Sequence, residues 1–148
     1  MKARLLAFGL LASSVLLILL VGCAQSKEQV LYGTWTNEKG GLYSKAVHTP
    51  GLIQNFKWSS DTTPSEQEKI RIASCWSDSE GNIWFRIEDT EIGGPFPNTK
   101  AQRLAKISKS GTFLEITDNI VADFSPNGFP TKIDPTNPYY MSFSRAAK

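Results

Sequence analysis

The side chains that could do chemistry in this chain are few and widely spaced. The single histidine, His48, lies in the segment SKAVHTPG, which we interpret as a solvated loop with no nucleophile motif beside it. Cys75 falls in a predicted strand, where a small buried hydrophobe is the usual role, and no activating base adjoins it in sequence. The two residues are too few for a tetrahedral zinc site. We therefore predict a protein that is not an enzyme and has no metal or other cofactor.

A run of acidic residues, Glu88, Asp89 and Glu91, is the second candidate for chemistry. Paired carboxylates could hold calcium or transfer protons, but their spacing matches no EF-hand ligand set. We place them on the outward face of a strand that runs into a glycine-rich loop. This arrangement predicts solvated charges.

The second cysteine, Cys23, follows the only strongly hydrophobic segment. Lys2 and Arg4 precede an apolar run over residues 5–21, which is the layout of a secretory signal peptide. An uncleaved membrane anchor is the alternative, because about 17 apolar residues reach the low end of a bilayer span. The tetrapeptide Leu20-Val21-Gly22-Cys23 resembles the bacterial lipobox. That resemblance implies cleavage before Cys23 and acyl chains on it, and two or more chains anchor a protein stably.

This prediction divides the chain into three parts: a signal peptide (1–22), a lipidated tether (23–30) and one folded domain (31–148). Loss of Lys2 and Arg4 takes the net charge from +2 to zero, with 14 basic and 14 acidic residues left. No basic excess then remains to attract nucleic acid. We expect the membrane as a partner through Cys23. The location is the bacterial cell envelope, and Ala24 in place of an aspartate favours the outer membrane.

The domain has the pattern of an all-β protein. Apolar residues alternate with period two, turn residues interrupt them at short intervals, and no helical stripe is convincing. The weakest strand assignment is 100–108, where AQRLAK also has helical propensity. Seven to nine strands in adjacent hairpins must close into a barrel or pair as a sandwich. The predicted strands are 31–37, 52–59, 68–77, 82–89, 100–108, 112–117, 120–124 and 139–145.

Gly33, Trp35 and Arg145 favour the barrel. Gly33 and Trp35 share one face of the first strand, and Arg145 ends the last strand. Gly33-Thr34-Trp35 resembles the Gly-x-Trp signature of lipocalins and related calycin barrels. The resemblance implies a small antiparallel up-and-down β-barrel in which an arginine packs across the tryptophan and closes one end. A guanidinium over an indole contributes about 0.5 to 2 kcal/mol. The lipocalin tyrosine expected after Thr117-Asp118-Asn119 and the C-terminal helix are missing.

The interior of such a barrel poses the functional question, because about eight strands either fill with side chains or hold one small ligand. The ligand interpretation predicts a hollow lined by four residues: Ile72, Trp76, Phe85 and Leu114. It makes the protein a membrane-anchored binder of a small apolar ligand. The alternative is an interaction or adhesion module of the envelope with a filled barrel or sandwich core. It would use an exposed apolar patch near Trp84 or the proline-rich loops.

Overall fold

The computed structural model describes residues 27–37, 43–60, 65–121 and 128–147. The predicted signal peptide and Cys23 lie outside these ranges. Residues 27–29 are helical, and Leu31–Lys148 form a compact unit that holds all the strands below. The strands are β1 (Gly33–Thr36), β2 (Tyr43–Thr49), β3 (Ile53–Trp58), β4 (Glu66–Ser77), β5 (Ile83–Gly93), β6 (Lys100–Ile107), β7 (Phe113–Val121) and β8 (Met141–Arg145).

These eight strands form a closed, antiparallel, up-and-down barrel. Each strand pairs with the next along the chain, and β8 pairs with β1 through Trp35–Arg145 and Thr36–Ser144. Closure removes the free edges that a meander of this size would otherwise expose. The all-β class and the barrel predicted from the sequence are confirmed, and the sandwich is excluded. The architecture is consistent with a lipocalin-like fold.

One strand, β2, was missed, and the assignment of His48 to a solvated loop was wrong. His48 lies in β2 with 2% of its surface exposed, and Ala46 two residues earlier is fully buried. A register irregularity between Tyr43 and Lys45 breaks the alternation at the start of the strand. A polar histidine at an inward position then hid the remaining periodicity. The predicted strand 120–124 also differs, because β7 runs without a break to Val121 and residues 122–124 lie outside the described ranges.

A second register shift, in β4, reverses the predicted faces of its last residues. Ile72 pairs with Ile87, but the next partners are Ser74 with Arg86 and then Cys75 with Phe85, so Ala73 is the extra residue of a bulge. Directly opposed residues of an antiparallel pair share a face. Cys75 therefore faces inward with the fully buried Phe85, and Trp76 lies outside. A strict period of two had predicted the reverse.

Residues 128–134, which we call the outer segment, follow β7 and cover part of the outer surface of the barrel. Asn119 of β7 donates a hydrogen bond to the Gly128 carbonyl (2.6 Å), and the Asp134 amide donates one to the Thr117 hydroxyl (2.8 Å). This covering explains why residues 101–105 of β6 are all buried, on both faces of the strand. It also explains how the sequence AQRLA forms a strand although it has apolar residues at both odd and even positions.

Candidate ligand-binding site

Trp35 and Arg145 contact each other at one end of the barrel, and we call them the closing pair. The guanidinium carbon of Arg145 lies 4.2 Å from the centroid of the Trp35 ring, and Trp35 is fully buried. The Arg145 Nε donates to the Gly111 carbonyl (2.7 Å) and its Nη1 to the Tyr32 carbonyl (3.0 Å). The contact expected between the two side chains is present. The arginine also ties the β6–β7 turn to the segment that enters β1.

Gly33 makes room for the closing pair. Its φ is +126°, a conformation that L residues rarely adopt, and a Cβ at this position would lie 3.1 Å from Arg145 Nη1. Any side chain here would strain the backbone and press on the guanidinium. The glycine is therefore needed both for its backbone conformation and for the close approach of Arg145.

The opposite end of the barrel holds a cavity of about 410 Å³. Trp58 ends β3, Glu66 begins β4 and Glu91 lies near the end of β5, so the cavity lies beneath the loops farthest from the closing pair. Phe96 and Tyr139 stand at its mouth, with 56% and 42% of their surface exposed. The residues that line it are Tyr43, Trp58, Glu66, Glu68, Asp89, Glu91, Phe96, Thr99, Ala101, Arg103 and Tyr139.

Aromatic rings form one wall of this cavity. Tyr43 meets Trp58 edge to face at 5.1 Å between centroids, and Trp58 lies 6.4 Å from Phe96. Glu91 holds the mouth loop in place, because its Oε1 accepts a hydrogen bond from the Phe96 amide (2.9 Å). The Tyr43 hydroxyl donates to Glu66 Oε2 at 2.5 Å. The wall therefore presents ring surfaces together with carboxylate oxygens.

The floor of the cavity is a buried charge network around Arg103. Its Nε donates to Asp118 Oδ2 (2.7 Å), and its Nη2 donates to Glu68 Oε1 (2.9 Å) while Nη1 contacts Glu68 Oε2. Nη1 also lies 3.2 Å from Asp89 Oδ2. All four side chains are 3–4% exposed. Charges buried this deeply are tolerated only when they are paired, and loss of one partner from such a pair typically costs about 3–5 kcal/mol.

Burial also shifts the titration of these groups. It raises the pKa of Asp89 from its usual 3.8 to about 8, and the carboxylates of Glu68 and Asp118 add to the rise while Arg103 opposes it. Burial likewise raises the pKa of the Glu66 and Glu68 carboxyls. Below pH 8, therefore, Asp89 favours its protonated form and the excess of carboxylates over guanidinium is partly neutralised.

Burial also determines the charge of His48. Burial lowers the pKa of His48 from 6.5 to about 3, and the positive charges of Arg103 and Arg145 lower it further. Its imidazole is neutral at physiological pH.

The four residues predicted to line a ligand cavity do not line this one. Phe85 and Leu114 are fully buried packing residues of the barrel interior, and Ile72 faces inward opposite Ile87. Trp76 was wrongly placed inside. It lies on the outer face, where its ring stacks on that of Trp84 at 6.0 Å and 8°. The reason is the β4 bulge, which exchanges the two faces.

The outer aromatic pair is covered by the chain itself. Arg86 lies over the Trp76 ring at 5.6 Å, and Lys106 lies over the Trp84 ring at 5.7 Å. Trp84 Nε1 donates to Asp78 Oδ2 (2.8 Å). Both rings are half-buried. The surface near Trp84 is therefore a cation–π stack rather than an open apolar patch.

The interpretation of the acidic run as solvated charge was wrong for two of its three residues. Asp89 is 3% and Glu91 4% exposed, whereas Glu88 lies on the outer face and pairs with Arg71. The signal was present in the sequence, because Phe85, Ile87, Asp89 and Glu91 follow one another at period two. Hydrophilic character led to the assignment of the last two to the solvent side.

Within the part of the chain that the structure describes, no group of three or more histidine, cysteine or acidic side chains is arranged to hold a metal ion. Among the same residues, no helix is long and apolar enough to cross a bilayer. Comparison of the chain with protein-family models, with curated proteins and with solved structures returned no match.

Proposed function

We propose that this protein is a lipid-anchored envelope protein of bacteria that binds a small organic ligand in a lipocalin-like barrel and has no catalytic role. The observation that carries the proposal is the cavity of about 410 Å³. Its size falls within the range of ordinary small-molecule sites, which combine apolar walls with a few polar groups. It opens at one end of a barrel whose other end is closed by Trp35 and Arg145.

The interaction-module alternative expects a filled interior and an open apolar surface. The cavity argues against a filled interior, and the stack of Arg86, Trp76, Trp84 and Lys106 argues against an open apolar patch near Trp84. The exposed Phe96 of the proline-rich loop lines the cavity mouth, so in this proposal it contacts the ligand. The ligand itself is not purely apolar in this proposal, because four carboxyl groups line the cavity.

Anchoring rests on the lipobox-like sequence before Cys23 and on the apolar run that precedes it. Acyl chains on Cys23 would tether the barrel to a membrane by a short polar segment, with the outer membrane favoured by Ala24.

Native mass spectrometry tests the ligand-binding role. The full chain is extracted in an uncharged detergent from the envelope in which it is made, and its retained partners are weighed. We expect an adduct of small-molecule mass. Ala101→Phe should abolish that adduct, because Ala101 lines the cavity with 2% of its surface exposed. Ala73→Phe, the same change on the exposed β4 bulge, should retain it. A retained protein without a small molecule would favour the interaction module instead.

A further inference from the structure

The polar groups of the cavity are unbalanced in charge. Four carboxyl groups and one guanidinium line it, and the guanidinium of Arg103 is already engaged by Glu68, Asp89 and Asp118. None of these lining residues carries a further positive charge that could bind an anion. A carboxylate ligand such as a fatty acid would enter a field of like charge.

Asp89 carries an acceptor that the protein does not use. Its Oδ2 accepts no hydrogen bond from the described residues, although the side chain is 97% buried and lines the cavity. The Arg103 Nη1 at 3.2 Å provides charge but no aligned N–H. A buried acceptor without a donor costs about 1–3 kcal/mol, so a ligand that brings a donor recovers this energy.

The aromatic wall favours the same kind of ligand. Ring faces carry negative potential, and cations within about 6 Å of them are attracted. Tyr43, Trp58 and Phe96 adjoin the carboxylates of Glu66 and Glu91 through the contacts described above. Rings beside carboxylates accept a group that is apolar over most of its surface and positive at one end.

We propose that the cavity binds an organic ammonium compound with an apolar or aromatic body, and that Asp89 is the principal counter-ion of its charge. This inference rests on the proposed ligand-binding function and narrows it to one chemical class. Glu66 and Glu91 lie on the same inner surface and add to the negative potential, while the rings at the mouth enclose the body of the ligand.

Three probes with one skeleton test the charge preference. They are 2-phenylethylammonium, the neutral 2-phenylethanol and the anion 3-phenylpropanoate. Each is titrated calorimetrically into the full chain in an uncharged detergent at pH 9, where Asp89 favours its ionised form. We expect the cation to bind at least tenfold more tightly than the alcohol, and the anion to bind least. Asp89→Asn should lower the affinity for the cation at least tenfold and that for the alcohol much less, because only the cation also loses its counter-ion. Asp134→Asn, the same change on the outer segment, should alter neither.

A pH series on the unaltered protein gives an independent measurement. The probe is 2-phenylethyltrimethylammonium, whose charge is independent of pH. Asp89 faces Arg103, Glu68 and Asp118, and Glu66 faces Tyr43, Glu68, Glu91 and the charge of Arg103. Because the pKa values of Asp89 and Glu66 are raised, we expect affinity to increase from pH 5 to pH 9, with protons released on binding. A flat profile would contradict Asp89 as the counter-ion.

The outcomes separate the two proposals. If the alcohol binds as tightly as the cation and Ala101→Phe abolishes both, the ligand-binding function holds and the ammonium preference fails. If none of the three probes binds, the ammonium inference fails, and the small-molecule adduct in native mass spectrometry decides the function on its own.

Discussion

The closing pair can be weakened by one conservative substitution, Arg145→Lys, which retains the charge. The guanidinium of Arg145 lies 4.2 Å from the Trp35 centroid and donates to the carbonyls of Gly111 (2.7 Å) and Tyr32 (3.0 Å). A lysine ammonium is a compact point charge without the planar fork of donors, so its single nitrogen cannot take the places of both Nε and Nη1 and cannot stack flat on the indole. One charge-assisted hydrogen bond contributes about 1.5–3 kcal/mol. The weakened ring contact adds about 0.5–1 kcal/mol.

We therefore expect Arg145→Lys to lower the free energy of unfolding by about 2–4 kcal/mol, measured by urea denaturation with tryptophan fluorescence. Small domains have a total stability of about 5–15 kcal/mol, so this change should move the midpoint clearly. Arg71→Lys is the matched control. The Arg71 side chain is 68% exposed and pairs with Glu88, and a surface pair of this kind contributes about 0–1 kcal/mol. Equal midpoints for the two variants would refute the stabilising role assigned to the closing pair.

Three further predictions follow from single residues. Gly33→Ala should destabilise the barrel more than Gly51→Ala, because both have positive φ but only the first would crowd a side chain, and equal losses in thermal unfolding would contradict this steric reason. Thermal stability should decrease as the pH rises from 5 to 9, because the pKa of Asp89 is raised to about 8 and the folded state holds a proton that the unfolded state has released above pH 4. Asp89→Asn should flatten that profile, and an unchanged slope would assign it to other groups. Cys23→Ser should remove the acyl mass and leave the signal peptide uncleaved, because the lipobox cysteine is lost, whereas Cys75→Ser should keep the acyl chains; a mass that changes in the first variant only by the substitution itself would favour an uncleaved anchor.

Much of the barrel could be predicted from periodicity and turns. Seven of the eight strands overlap predicted segments, and four of them lie wholly within one, because most place apolar residues at alternate positions between glycine- and proline-rich turns. The contact between Trp35 and Arg145 was expected from two residues at opposite ends of the domain. The sequence pattern did not predict β2, because its inward positions include a histidine and a period-two pattern is recognised only when the buried residues are apolar.

The cavity was less accessible to sequence reasoning. Its acidic residues are placed inward by the same alternation that buries Phe85 and Ile87, yet carboxylates at buried positions contradict the usual preference of charge for water. The burial of Asp89, Glu68 and Asp118 depends on Arg103, which stands 14 to 35 residues away from them along the chain. Only strand pairing brings these groups within hydrogen-bond distance.

The sequence by itself determined the all-β class and the meander of adjacent hairpins, because local alternation and turn chemistry act over a few residues. The resemblance of Gly33-Thr34-Trp35 to the lipocalin signature favoured closure over a sandwich. The sequence also contains the lipobox-like segment on which the anchoring prediction rests. Only the tertiary structure decided which residues face the interior beyond the β4 bulge, because one extra residue exchanges the faces of all that follow. It alone decided the chemistry of the cavity, since the energy of a buried carboxylate depends on partners that the fold, and not the chain order, places beside it.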